Sequence, residues 1–442
     1  MSLAPEADAL LEEHMTLPTP RRTAHPPHPL MRWGAVTLPA LMLFATSFLP
    51  EAGAATAKAV AALSAPKPMT SPALAGSRVP NLTAMPDGRF ALSWLEPVRG
   101  ARMALRFAIH DGGRWSKPST IAAGDSFFVN WADFPSIHSL GGNRFAAHWL
   151  WRNGAGAYAY DVRLSQSEDG GRTWSPPITP HRDGTASEHG FASLLSDSGS
   201  AWAVWLDGRK MAGHDESSPG PMPEMTLRAA TITAAGRLLD EVELDDRTCD
   251  CCQTAAVTTD RGILVAYRDR SPDEVRDIYV TRREDGHWTS PLAVHADDWH
   301  IAGCPVNGPA LAAQGSHVAI VWYTAAADTP RVNFAFSEDA GASFGAPVRI
   351  DDGSPLGRAH VAMLEDGSAL ATWLESSGRD ALIRARRIAV TGQLGAAITV
   401  ARTSAARASG CPRVMASGET ILFAWTETGA SSQVRLAALR VK

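Results

Sequence analysis

The sequence predicts an all-β protein, a propeller of four-stranded antiparallel blades, seven in number with six as the alternative. Three observations carry that expectation. One phrase recurs seven times: an apolar stretch, a turn that is often Asp-Gly, then an apolar strand closing on an aromatic residue. The clearest copies are Leu82…Asp87-Gly88…Trp94 and Val361…Asp366-Gly367…Trp373, and the others close on Trp149, Trp205, Tyr267, Trp322 and Trp425. The copies lie roughly 55 residues apart, the period of a propeller or solenoid unit rather than of independent domains. Each unit reads as up to four short strands rich in Val, Ile, Leu, Ala and Trp, with Gly, Asp, Asn and Pro in the turns. No amphipathic helical stretch of useful length interrupts them. A chain of 442 residues could hold two or three ordinary domains. The repeat argues instead for one ring with a central channel.

Taken in order, residues 1–54 are read as an N-terminal extension followed, over 31–54, by a secretory signal. Five prolines between Pro18 and Pro29 break up any helix; then come Met31-Arg32, an apolar run from Trp33 to Leu49, and Ala52-Gly53-Ala54. That is a charged n-region, an h-region and a small-residue cleavage site. The run is short for a membrane span and contains Pro39. The expectation is therefore export to the periplasm or the extracellular space, with no membrane embedding after cleavage; an uncleaved anchor is the alternative. Residues 55–77 are rich in Ala, Pro and Ser and read as a linker ending in an extended segment. Residues 78–442 form the single propeller domain. In its first unit the expected strands are Asn81–Met85, Phe90–Leu95, Met103–Ile109 and Ser119–Ala122. The seventh unit stops after Val434–Val441, one strand short. The segment before Arg78 is the candidate to supply that strand and close the ring, because an unpaired edge is a liability.

Composition is that of a globular protein: 45% hydrophobic, 20% charged, net charge −5. There is no basic footprint, so nucleic acid is not expected as a partner. The five cysteines are Cys249, Cys251, Cys252, Cys304 and Cys411. In an exported protein some should pair, and an odd count leaves at least one outside any intramolecular disulfide.

A second motif lies late in some units. Ser167-Glu168-Asp169-Gly170-Gly171-Arg172-Thr173-Trp174 has the form Ser-x-Asp-x-Gly-x-Thr-Trp, and Ser337-Glu338-Asp339-Ala340-Gly341-Ala342-Ser343-Phe344 is a second copy. Asp111–Trp115 and Asp285–Trp288 look like eroded copies. The chemistry is that of a turn: the Asp carboxylate accepts from backbone N–H groups further on, Gly takes a positive φ, and the aromatic packs back. The motif resembles the Asp-box, or BNR repeat, of the sialidase superfamily, and the blade pattern extends the likeness over the whole of 78–442. The resemblance implies that the box lies on the turn between third and fourth strands, away from the active site. Ser167, Asp169, Gly171, Thr173, Trp174, Ser337, Asp339, Gly341 and Phe344 are accordingly structural. Sialidases have six blades, whereas seven units are counted here.

In a meandering blade the start of the first strand and the end of the second share one face. The residues leading into each unit should therefore meet at one channel mouth, where ligand sites are common. All five cysteines fall there, with Glu188, His189, Asn307 and His360; Asp207 and Arg209 follow a second strand. Three readings follow. The resemblance implies a glycosidase: Arg78-Val79-Pro80 is similar to the sequence that supplies a sialidase's first substrate-carboxylate arginine, Arg358 and Arg413 would complete a triad, and Asp133 would be the general acid. The family's tyrosine nucleophile has no counterpart, since the last tyrosine is Tyr323, in unit five. The second reading is a copper or zinc site from Cys249, Cys251, Cys252, His300, Cys304 and Cys411, because thiolates favour Cu(I) and Zn(II). The third is bland: disulfides staple the loops, each histidine is a hydrogen-bonded bystander, and the face binds a small molecule, glycan or protein through Glu188, His189, Asp207, Arg209, Asn307 and His360. Binding of a ligand or metal by the Cys/His/acidic cluster is favoured over glycoside hydrolysis. There is no Gly-x-Ser-x-Gly, His-Glu-x-x-His or phosphate loop. His181-Arg182-Asp183-Gly184 resembles a kinase catalytic loop only by chance.

Overall fold

The computed structural model describes residues 60–213 and 223–441. The secretory-signal reading of 31–54 lies outside the described residues. Within them the chain forms seven antiparallel sheets. Blade one comprises Arg78–Ala84, Phe90–Val98, Ala101–His110 and Ser119–Gly124. The inner strands of the other six are Ser136–Gly141, His189–Asp197, Ala255–Thr259, Ala310–Gln314, Pro355–Met363 and Arg413–Ser417. Neighbouring inner strands touch in cyclic order, and the seventh touches the first. The ring is thus closed with seven blades, not the six of the alternative. Blade two has three strands, its fourth position marked by a bridge from Leu164 to Ile178. The outer strand of blade seven is Lys67–Met69, paired with Gln433–Arg440. Its edge is thereby covered by a segment that precedes blade one.

The apolar core lies between blades, because each sheet buries both faces against its neighbours. Leu105, Phe107, Phe145 and Trp149 join blades one and two; Trp373, Val321 and Phe334 join five and six; Trp94, Leu92 and Leu436 join seven and one. The recurring tryptophans have a polar role as well. Indole Nε1 of Trp94, Trp205 and Trp373 donates to Glu96, Asp207 and Glu375, each two residues on, at 2.7, 2.8 and 2.6 Å. A buried indole N–H needs such a partner. In these three blades the repeated aromatic therefore brings its own acceptor.

Both complete Asp-box turns have the expected geometry. Asp169 Oδ1 accepts from the backbone N–H of Arg172 and Thr173 at 3.0 and 2.9 Å, and Ser167 Oγ accepts from Gly171 N at 2.9 Å. The Ser337–Asp339–Gly341–Ser343 turn repeats the pattern. The Thr173 backbone donor leads in holding Asp169 down to about 2. Gly171 has φ +80°, and a Cβ there would stand 2.2 Å from Phe107 of blade one. The box thus docks one blade on the previous one, at the end opposite the mouth.

Among the described residues, no helix is long and apolar enough to cross a membrane.

Candidate functional site

The inner strands of all seven blades line a central cavity of about 410 Å³. Its walls are mostly alanine and small aliphatic residues, but at the mouth it meets Asp133, Gln253, Arg358, His360, Cys411 and Arg413. Chain geometry repeats at the mouth. Val79, Phe191, Val306 and Arg358, in blades one, three, five and six, all have φ between 48° and 51°. β-Branched and bulky residues rarely adopt that region, and such strain clusters at functional sites. In blades one, three and six the pairing register shifts nearby, as a bulge requires.

The bulges clip each blade to the one before it. Val79 N donates to Thr426 Oγ1 at 3.1 Å, Arg358 N to Asn307 Oδ1 at 2.6 Å, and Gly308 N to Gln253 Oε1 at 3.0 Å. The Phe191 N–H points likewise at the Asp133 carboxyl. Asp133, Gln253 and Asn307 thus occupy one structural position in blades two, four and five. Asn307 is engaged further, donating to the Pro305 and Leu356 carbonyls. This corrects the expectation that Asn307 is a ligand contact, because its polar atoms hold the backbone of two blades together.

The acidic version of that clip has chemistry of its own. Tyr160 OH lies 2.9 Å from Asp133 Oδ2 and 2.7 Å from Glu188 Oε1. One hydroxyl has one proton, so it cannot donate to both at once. Burial drives Asp133 up to about 7, against the Phe191 and Tyr160 donors. Burial also drives Glu188 up to about 8, with Asp250 and Asp133 adding repulsion. Near neutral pH the pair shares protons, and its titration belongs to the pair rather than to either group. Gly190 permits this arrangement: a Cβ there would stand 1.9 Å from Asp133 Oδ2.

A positive wall flanks the loop that carries Asp133. The Arg413 guanidinium lies 3.9 Å from the centre of the Phe134 ring, and among the described residues its Nε and Nη2 have no hydrogen-bond partner. Burial lowers its pKa to about 10. Arg358 stacks on Trp131 and donates to the Ala406 and Gly410 carbonyls and to Ser409 Oγ, with no carboxylate among these partners. His360 is pushed down to about 3 by burial and then by Arg413, so it is neutral. Cys411 belongs to this wall, its thiol raised by burial.

The other four sulfurs gather between blades four and five. Cys249 Sγ lies 3.2 Å from Cys252 Sγ and 3.9 Å from Cys251 Sγ. Cys304 reaches Cys249 and Cys251, and its sulfur is 3.3 Å from Asp250 Oδ1. No pair is at the ~2.05 Å of a disulfide; all five thiols are free. The expected disulfide staple is therefore not what the sulfur positions show.

Four more sequence expectations need correction. His300 does not join the sulfurs: its Nδ1 faces the Asp273 carbonyl, because its backbone bridges to Val275. Arg78 does not line the cavity, since its strand begins beside Leu95 and only from Asn81 onward does it reach the wall. Asp207 and Arg209 are committed to each other at 2.7 Å, with Trp205 and Glu241 as further partners. His189 lies behind the mouth. It is stacked on His181 with ring centres 3.7 Å apart, and its Nε2 is 3.3 Å from Asp183. This imidazole–carboxylate network buries the connection that delivers Glu188. His181 and Asp183 come from the stretch dismissed above as a chance likeness.

The residues missed were Tyr160, Gln253, Arg268 and Arg276. Third strands also start at the mouth, and Tyr160 and Arg276 sit at or just before such starts. Applying the same strand-direction logic one strand further along each blade would have found both.

No protein-family profile matches the chain, and no curated protein matches it. Solved structures do. An ulvan lyase of polysaccharide lyase family PL25 is 12% identical with a TM-score of 0.52, covering 84% of this chain and 96% of that one. A protein of unknown function from Dyadobacter fermentans is 16% identical with a TM-score of 0.47, covering 83% and 95%. The NanB sialidase of Streptococcus pneumoniae is 12% identical with a TM-score of 0.42, covering 83% and 68%. The likeness is one of fold, a propeller of seven antiparallel blades.

Proposed function

We propose that this propeller binds an anionic small molecule at its mouth, with a carboxylate-bearing saccharide as the best-fitting class. One observation carries the reading: Arg413 holds a buried guanidinium with two N–H directions unmet among the described residues, in the wall of a cavity shared with Arg358. A buried cation without a partner is costly. A carboxylate would take both hydrogen bonds of the guanidinium fork. The small wall residues suit the apolar face of a sugar ring. Calorimetric titration with glucuronate, N-acetylneuraminate and neutral glucose tests this. Acidic sugars should bind, glucose should not, and Arg413→Gln should weaken binding tenfold or more. Equal binding of glucose and glucuronate, or none of either, removes the reading.

A second reading adds chemistry. Asp133 and Glu188, raised by burial and linked through Tyr160, form a proton-donating and proton-accepting pair. Such a pair suits general acid–base catalysis near neutral pH. It favours cleavage of an acidic glycan over binding alone, as a glycoside hydrolase or a related enzyme. Turnover of fluorogenic sialosides and uronides, lost in Tyr160→Phe with binding retained, is the expected result. Binding with no turnover of any acidic glycoside would leave the protein a binding module.

A further inference from the structure

We infer that Cys249, Cys251, Cys252 and Cys304 form a thiolate site for a soft d10 cation, copper(I) or zinc(II). The site goes beyond the saccharide reading and does not depend on it.

Two chain segments some fifty residues apart bring these sulfurs together. Cys249, Cys251 and Cys252 offer sulfurs within 4.8 Å of one another, and Cys251 and Cys304 do so with Asp250. At a metal–sulfur bond of ~2.3 Å, a tetrahedral thiolate set has sulfur–sulfur edges of roughly 3.8 Å. The 3.9 Å separation matches that value, the 3.2 Å one is tighter, and both are well outside covalent S–S range. Cys249 and Cys252 are buried, and the other two are half-buried, as in a pocket that shields an ion yet admits it.

A second observation points to negative charge at this place. Arg268 is 1% exposed, and its guanidinium donates only to main-chain carbonyls, those of Asn307, Arg276 and Tyr323. No carboxylate is among these partners, and Trp299 covers one face. Arg276, also buried, places Nη1 3.4 Å from Cys249 Sγ. Two buried guanidinium groups thus flank the sulfurs, and only Arg276 has carboxylate partners, Glu274 and Asp250. The Asp277 carboxyl lies within electrostatic range of Arg268, and so does the Cys252 sulfur, so a thiolate there adds to its balance. Thiolate, not thiol, is the metal ligand. Several thiolates packed without a cation would repel one another, and a bound metal removes that repulsion. Soft sulfur donors select Cu(I) and Zn(II) over harder ions.

The test uses the full chain, purified anaerobically under reducing conditions, stripped with chelator, then titrated separately with Cu(I) and Zn(II). One ion per chain should bind, and the four thiols should become protected from iodoacetamide while Cys411 does not. Cys304→Ser should lower affinity at least a hundredfold, and Cys411→Ser should leave it unchanged. Cobalt(II) substitution of the unaltered protein gives a readout that needs no variant, because thiolate ligation produces intense near-ultraviolet charge-transfer absorption. Absence of that absorption overturns the proposal, as does a protein that isolates with two disulfides and takes up no ion after reduction. Retention of full stoichiometry and affinity by Cys304→Ser overturns it too. Saccharide titration of the same preparations reports on the mouth separately, so failure of one reading is distinguishable from failure of the other.

Discussion

Replacing Asp133 by Asn tests the central electrostatic claim about the mouth. The change is conservative because Gln253 and Asn307 hold the equivalent position in two other blades, and an amide oxygen can still accept from the next blade. Asp133 is buried, and its carboxyl is raised from 3.8 to about 7, first by desolvation. The folded state therefore holds a proton that the unfolded chain has already lost between those two values. For a raised carboxyl, stability is highest below the unfolded pKa and falls as pH climbs through the folded one. At roughly 1.36 kcal/mol per pH unit, the whole effect is about 4 kcal/mol, of which about 2.5 kcal/mol falls between pH 5 and pH 8. The asparagine variant lacks this penalty. Its stability relative to the parent should rise by about 2.5 kcal/mol between pH 5 and pH 8, and by somewhat more because loss of the neighbouring charge also lets Glu188 ionise more easily. Urea unfolding followed by tryptophan fluorescence at the two pH values measures the difference. Parallel pH profiles for parent and variant would refute the reasoning, since they would mean that Asp133 is ionised throughout.

Two other predictions follow from packing and topology. Gly190→Ala places a Cβ 1.9 Å from Asp133 Oδ2 and 2.8 Å from Tyr160 Cε2, so the Asp133–Tyr160 contact must break. A loss of about 1–3 kcal/mol of stability, with loss of any turnover, is expected from denaturant unfolding and activity assays. Deleting residues 60–77 exposes the Gln433–Arg440 edge and removes Ala73 and Met69 from the core between blades seven and one. Soluble yield should fall far more than on deleting residues 1–54, and equal yields would contradict the closing role of Lys67–Met69.

Much of the architecture was legible in the residues because its cause is local. The turn, the apolar strand and its closing aromatic are short-range patterns repeated seven times, and a period of that length admits few folds. The Asp-box turns were readable for the same reason, since Asp169 bonds residues three and four positions on. Strand direction alone placed Asp133, Arg358, Cys411 and Arg413 at one mouth.

What tertiary structure decided was which of those residues remain available. Asp207 and Arg209 looked like ligand contacts, yet each neutralises the other. Asn307 looked equally free, yet the αL backbone of Arg358 in the next blade claims its side chain. His300 is four positions from Cys304 on the way into blade five, but its backbone bridge turns it away. The partners that give Asp133, Cys249 and Arg413 their chemistry are Tyr160, Arg276 and Phe134. Tyr160 starts a strand, Arg276 lies just before one and Phe134 lies in the loop entering blade two, and their closeness to the site depends on how the blades curl against one another. Sequence determined the ring and the face, through patterns that each unit carries within itself. Contacts between units determined the site, because burial and pairing of charge depend on neighbours from other blades, which no single repeat encodes.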